Sequence, residues 1–376
     1  MNMIKREIES VIRKSLANHK AILLMGPRQV GKSTLVREMF GADAGVKWFN
    51  GDDPSDRTAL TDVSLSRLKL ILGGSNSVII DEAQKIPLIG DTIKLMTDQI
   101  PDIKIIATGS SSFELASNIG DSLTGRKREM RLFPVSFSEM VRYHGLVEEE
   151  RSLTQRMIFG YYPEVLTNPG GERDILKELT DSYLYKDILS LDNISKSERM
   201  VRLLQALALQ IGSQVSFNEL SRFVGLDAKT VEKYVEILEK CYIIFRMPSF
   251  ARNLRNELKF SRKIYFYDLG VRNAVLGNFT PVELRTREEA GHMWENLVVS
   301  ERLKRNAYAC NDAKTYFWRT KQSREIDFIE EKDGKITAFE CKYGNRSVKI
   351  PKDFAAAYPE ATFNVITPKN LAEILI

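Results

Sequence analysis

The chain has 376 residues, 43% hydrophobic and 28% charged, which allows two or three domains with substantial cores and an ordinary soluble composition. A net charge of +5 is compatible with nucleic-acid contact and equally with a mildly basic surface. Three widely spaced cysteines without a Cys-x-x-Cys pair, three scattered histidines, a charged Lys5–Glu9 opening and no bilayer-length apolar run argue against a disulfide framework, a zinc site, a signal peptide and a membrane partner, so a cytoplasmic protein is expected.

Ile4, Ile8, Val11, Ile12 and Leu16 recur at helical spacing and predict an amphipathic first helix. Residues 21–25 read as a buried strand and residues 35–40 as a helix. Between them run Gly26, Pro27, Arg28, Gln29, Val30, Gly31, Lys32, Ser33 and Thr34, a match to G-x-x-x-x-G-K-[ST]. Strand, glycine loop and helix N-terminus together aim backbone N–H groups at one point, where a polyphosphate can sit. Lys32 is expected to reach the β- and γ-phosphates and Ser33 to ligate Mg²⁺, which makes ATP and Mg²⁺ the expected cofactors. Residues 46–50 predict a second strand, with Asp52 and Asp53 beyond it in position to cap a helix. Residues 65–72 predict a helix stopped by Gly73-Gly74.

Residues 78–82 form an apolar strand ending in Asp81 and Glu82, and ligands of open parallel sheets gather at such strand ends. Asp81 is expected to hold Mg²⁺ and Glu82 to orient the attacking water. A helix over 88–99 and a strand over 103–108 follow, ending in Thr108-Gly109-Ser110. Thr108 and Ser110 are therefore candidates to contact the γ-phosphate or the lytic water, and serines there can equally cap a helix. This alternation of strand and helix predicts an α/β domain with a mostly parallel sheet.

The ordered set GPRQVGKST, VIIDEAQ, ATGSSS and LTGRKREMRLFPVSFSE resembles the AAA+ ATPases, specifically the prokaryotic branch with GPRQVGKT-type loops, to about Arg142. In that family an arginine finger precedes the last sheet strand, read here as residues 129–133. The resemblance therefore implies Arg126 as the finger, with Arg128 as the alternative. A finger acting on a neighbouring copy would require a homo-oligomer; one acting within its own chain is equally compatible.

The run Glu148-Glu149-Glu150-Arg151 reads as a solvated connection near a boundary, followed by helical sequence that resembles the lid of such ATPases. From Glu198 to Phe250 the pattern changes: helices over 200–211, 217–224 and 228–240, capped by Ser216 and Asp227, then a strand over 242–248. Three helices and a strand in this order are a helix-turn-helix with a wing. The third helix would expose Lys229, Thr230, Lys233 and Tyr234, with Arg252 and Arg255 past the wing, as DNA contacts. Glu232, Glu236 and Glu239 share that helix, and winged helices also bind proteins, so a partner protein fits too.

At the C-terminus, residues 288–304 are amphipathic, and strands over 316–319, 325–330 and 336–342 flank an Asp333-Gly334 hairpin turn. A two-residue turn pairs Lys332 with Lys335 and sets Asp327 opposite Glu340, with Lys342 on the same face. Opposed carboxylates repel unless a cation intervenes. Asp327, Glu340-x-Lys342 and Glu295 on a preceding helix resemble the PD-(D/E)xK nucleases. That implies a second Mg²⁺ site on Glu295, Asp327 and Glu340 with Lys342 beside it. The C-terminal part also looks like the domain of unknown function that accompanies these ATPases.

The expected layout is an AAA+ ATPase core over 1–145, a helical lid or linker over 146–196, a winged helix-turn-helix over 197–255 and an α+β nuclease-like domain over 256–376. The expected function is ATP hydrolysis that drives or gates conformational change on DNA. An ATP-gated Mg²⁺-dependent nuclease and a nucleotide-switched scaffold for a partner protein are the alternatives.

Overall fold

The computed structural model describes residues 3–109, 123–184, 197–250, 262–320, 322, 324–344 and 348–376. The chain divides into two compact units, Lys5–Phe133 with Lys240–Tyr242, and Met1–Ile4 with Pro134–Glu239 and Ile243–Ile376.

The first unit holds helix α1 (Ile8–Ser15), strand β1 (Ala21–Met25), α2 (Lys32–Phe40), β2 (Val46–Asn50), α3 (Pro54–Leu60), α4 (Leu65–Leu72), β3 (Ser77–Asp81), α5 (Ile89–Gln99), β4 (Lys104–Gly109) and β5 (Lys127–Arg131). Ile4, Ile8, Ile12 and Leu16 are buried, as the spacing of α1 predicts. Asp53 caps α3 by accepting from Ser55 N–H, and Ser64 caps α4. The strands form one parallel sheet in the order β2-β3-β4-β1-β5. β1 and β3 thus flank β4, which brings the ends of all three side by side. All five residues of β1 are buried, matching its unbroken apolar run. The last strand begins two residues earlier than its sequence suggests, because Lys127 and Arg128 pair with Ala21 and Ile22 on β1.

The second unit begins with α6 (Phe137–His144), α7 (Leu146–Arg151) and α8 (Leu153–Phe159). Ser136 and Glu139 close a reciprocal cap on α6. The charged run at 148–151 is helical, part of α7; Glu148, Glu150 and Arg151 are exposed as expected, but Glu149 faces inward. Glu149 is fully buried, and its carboxylate lies 2.9 Å from His144 Nε2, accepts from Tyr161 Oη at 2.7 Å and pairs with Arg156. A buried carboxylate satisfied from three sides is stable inside a protein, and those partners lie outside the reach of a local charge pattern.

Next come α9 (Ser197–Leu209), β6 (Gln214–Val215), α10 (Phe217–Val224), α11 (Ala228–Lys240), β7 (Ile244–Pro248) and β8 (Arg262–Phe266). Ser216 caps α10 and Asp227 accepts from Thr230 N–H at the start of α11, both as expected. The strands pair antiparallel in the order β6-β8-β7. On α11, Lys229 and Lys233 are exposed, whereas Tyr234 is buried and the Thr230 hydroxyl bonds Asp227. Tyr234 therefore packs inward with Val231, Val235 and Leu238 rather than facing a partner. Arg252 and Arg255 lie outside the described residues.

After α12 (Leu269–Val275) and the 22-residue α13 (Arg287–Tyr308), strands β9 (Lys314–Arg319), β10 (Glu325–Lys332), β11 (Lys335–Cys341) and β12 (Thr362–Ile366) form a sheet in the order β12-β11-β10-β9. Asp333 and Gly334 both take left-handed φ, +51° and +78°, and Lys332 pairs with Lys335. Trp318, Ile326, Ile329, Ala338 and Phe354 make the core of one face, while Trp294 on α13 donates to Ile366 O at 3.2 Å.

Candidate nucleotide site and the C-terminal carboxylate cluster

The phosphate loop hangs from the end of β1. A Cβ on Gly26 would lie 2.1 Å from the Leu132 carbonyl oxygen, so only glycine lets the loop leave the sheet beside β5. Gly31, at φ +91°, opens α2, whose first N–H groups have no intrahelical acceptor and face the loop's interior end. Val30 is fully buried, and its carbonyl accepts from Arg6 at 2.8 Å while the same guanidinium reaches Phe133 O at 2.6 Å. Arg6 thus ties the loop to the end of β5. No sequence motif marks it, since its partners lie 24 and 127 positions away.

Lys32 is buried, and its ammonium donates to Gly26 O at 2.8 Å and Pro27 O at 2.7 Å. Burial brings its pKa down to about 8, against the opposing pull of Glu82 and Asp81 and with a further push from Arg28. Arg28 is thereby placed near enough to the lysine to be felt by it. Gln29 in the loop and Thr34 in the first turn of α2 are exposed.

Asp81 ends β3 and Thr108 lies near the end of β4, one strand nearer the loop. The Ser33 hydroxyl donates to Asp81 Oδ1 at 2.9 Å, and the Thr108 hydroxyl makes a short bond to the same oxygen. Glu82 N–H donates to Thr108 Oγ1 at 3.2 Å. Glu82 itself has φ +49°, a left-handed turn that ends the strand, and its carboxylate accepts from Gln84 Nε2 at 2.7 Å. Lys32, Ser33, Asp81, Glu82 and Thr108 are therefore brought together. Gln84 joins them unforeseen, although it stands two positions beyond Glu82. A serine hydroxyl beside a carboxylate is the hard oxygen set that the magnesium of an ATP complex takes, so these residues fit that ion.

Arg126 is not part of this group. Its carbonyl accepts from Ala21 N–H at the start of β1, while the loop leaves from the other end of that strand. Five residues of strand, roughly 16 Å, separate Arg126 from Arg131 at the loop's level. Its guanidinium is held by Asp98 at 2.5 Å. Within its own chain Arg126 does not reach the phosphate loop, and Arg128, only two residues into β5, shares that end of the sheet. Ser110 lies outside the described residues.

In the second unit, Glu295, Asp327, Glu340 and Lys342 do gather. Asp327 Oδ2 accepts from Cys341 N–H at 2.7 Å and Lys342 pairs with Glu340 Oε1 at 2.6 Å. Burial raises Asp327 to about 7, with Glu295 adding to it, and burial with Asp327 raises Glu340 to about 7. Glu295 turns elsewhere: its Oε1 accepts from Lys263 Nζ at 2.8 Å and Tyr265 Oη at 2.6 Å. Among the described residues, no three carboxylate, histidine or cysteine side chains converge as a ligand set for a metal ion. The residues present do not fit the divalent ion expected on Glu295, Asp327 and Glu340. Lys263 was not foreseen; a lysine and a tyrosine sharing one face of the apolar strand 262–266 are its only signal.

Residues 18–141 match a family described as an AAA domain. Residues 150–282 and 290–372 match two domains of unknown function (DUF8612 and DUF4143). An uncharacterized protein of Mycobacterium tuberculosis is 27% identical over 344 residues, spanning 90% of this chain and 74% of that protein. One from Methanocaldococcus jannaschii is 23% identical over 374 residues, spanning 93% and 80%. A Walker-type ATPase of Pyrococcus abyssi superposes with a TM-score of 0.52 at 18% identity, over 73% of this chain and 96% of that one, a likeness of fold. Strand order and family match agree that residues 18–141 have the fold of, and match the model for, an AAA domain.

Proposed function

We propose that this chain binds ATP with Mg²⁺ and hydrolyses it to drive or gate a conformational change. The observation that carries the reading is the convergence of Lys32, Ser33, Asp81, Glu82 and Thr108 at the adjoining ends of β1, β4 and β3. Lys32 would exchange its two carbonyl acceptors for phosphate oxygens, and the open N–H groups of α2 would take the rest of the anion. Ser33 and Asp81 would hold a magnesium ion, which when bound would supply positive charge against the phosphates. Glu82, fixed in its turn and steadied by Gln84, would orient the attacking water, with Thr108 holding the adjoining backbone in place. Arg126 would serve a neighbouring copy, since it faces away from its own loop. Phosphate release by the full chain tests this: turnover with ATP and Mg²⁺ should fall to background in Asp81→Asn, and unchanged turnover would reject the site.

The output is proposed to be contact with DNA. Three helices and the β6-β8-β7 sheet have the order of a winged helix-turn-helix, and Lys229 and Lys233 are exposed on its third helix. Binding that weakens steeply with salt would support it, whereas no binding to duplex or single-stranded DNA at low salt favours a partner protein.

A further inference from the structure

Lys263 on β8 is 1% exposed, and its ammonium touches carboxylates from two different elements. It lies 2.8 Å from Glu295 Oε1 on α13 and makes a close ion pair with Glu325, the first residue of β10. Tyr265, two residues on and sharing that face of β8, donates to the same oxygen of Glu295. The ring of Phe317 lies 5.5 Å from the ammonium, within cation–π reach. Arg319 covers the other oxygen of Glu325 at 3.4 Å. Glu340 Oε2 remains buried without a hydrogen-bond partner.

Two other buried ion pairs of this unit differ in kind. Lys304 with Glu301 and Arg302 with Glu330 each set one cation against one carboxylate. Lys263 instead serves Glu295 and Glu325 together by direct contact. Glu295, Asp327 and Glu340 are buried and Glu325, 25% exposed, stands at their edge, so negative charge gathers in a region that calls for a cation. A divalent ion would meet that need only by taking several of these oxygens at once, and the ammonium already holds two of them. The cation also arrives from outside. Glu295, Asp327, Glu340 and Lys342 lie within the matched segment 290–372, whereas Lys263 belongs to the preceding segment 150–282.

We propose that Lys263 is the resident cation of the C-terminal carboxylate cluster, a tethered ammonium that occupies the place of a divalent ion and closes the cluster to metal while β8 is in position. The nuclease-like chemistry that Asp327, Glu340 and Lys342 suggest is therefore shut off in this form by a residue of the preceding domain. This holds whether or not the phosphate loop binds ATP.

The test is Mn²⁺ titration of the full chain without nucleotide, read by the loss of the free-ion electron paramagnetic resonance signal. Wild type should bind no stoichiometric Mn²⁺ at Glu295. Lys263→Met should gain one ion per chain, held ~10–100-fold more tightly than anything wild type binds, and Lys263→Met/Asp327→Asn should lose it. A wild-type ion that Glu295→Gln removes would overturn the proposal, as would a folded Lys263→Met chain that binds none. Should Lys263→Met fail to fold in metal-free buffer, a cooperative melt restored by Mn²⁺ supports the proposal. If it folds under neither condition, the wild-type titration decides: stoichiometric Mn²⁺ lost in Glu295→Gln overturns the idea, and its absence upholds it.

Discussion

The Ser33 hydroxyl donates to Asp81 Oδ1 at 2.9 Å, joining residues 48 positions apart. One belongs to the phosphate loop's helix and the other ends a strand two places across the sheet. Only the order β3-β4-β1 makes them neighbours, and Thr108 on the intervening strand completes the contact.

The lysine of the loop gives a pH signature. Its pKa of about 8 in the free loop follows chiefly from burial, and the triphosphate favours its charged form, so binding should raise the pKa. Affinity for ATP is then full below the free value and falls as pH rises through it. At pH 8 binding should take up about half a proton from solution, seen calorimetrically as a dependence on buffer ionisation enthalpy. A pH-independent affinity between 7 and 9 would contradict the placement of Lys32 on the phosphates.

Glu82→Gln should retain ATP affinity and lose turnover by ~10²–10⁴-fold, because the amide still fits the turn but cannot accept a proton. Single-turnover phosphate release measures this. Equal turnover in variant and wild type would take Glu82 out of the chemistry.

Arg126 faces away from its own loop, so its role is testable by mixing chains. Arg126→Ala and Lys32→Ala should each be inactive, the former by ~10³-fold or more. Combined, they should recover activity, since one supplies the loop and the other the arginine. Wild-type turnover in Arg126→Ala alone would show that its bond to Asp98 is all it does.

Gly26→Ala would press a methyl group to 2.1 Å from the Leu132 carbonyl, a backbone atom that cannot swing aside. The expected loss is about 1–3 kcal/mol of stability, read as a lower melting temperature with no ligand present. An unchanged melt would mean that the loop can leave β1 by another path.

Asp327 and Glu340 are held near 7 by burial, well above the unfolded values. The folded state therefore keeps protons that the unfolded chain has already released, so these groups lower stability as pH rises from about 4 to 7 and contribute a constant penalty above. Asp327→Asn removes that term. Its melting temperature relative to wild type should climb between pH 5 and pH 7, and a difference that is flat or falls with pH would show that Lys263 and Lys342 already compensate the carboxylate in full.

Much of this was legible in the sequence where the signal is local. Residues 21–25, 46–50 and 65–72 form the elements their apolar patterns predict, because caps and glycines mark their ends. Asp333-Gly334 fixes the register Lys332 to Lys335, which in turn sets Asp327 and Glu340 face to face. What escaped is long-range charge pairing. Arg6 reads as part of a charged N-terminus, yet it is buried by partners 24 and 127 positions away, and Lys263, which no sequence motif singles out, is buried against Glu295, 32 positions on. Glu149 reads as a solvated acid and is instead buried by partners 5, 7 and 12 positions away. Tyr234 was misplaced for a related reason: the turn of α11 that faces the core is set by packing against its neighbours.

The proposed ATP site is tested most directly by calorimetric titration of ATP with Mg²⁺ into wild type and Lys32→Ala at pH 7. One site per chain should appear in wild type and vanish in the variant, whose melting temperature should otherwise be preserved. No heat of binding in wild type, or equal affinity in both chains, would contradict the assignment of the phosphate loop.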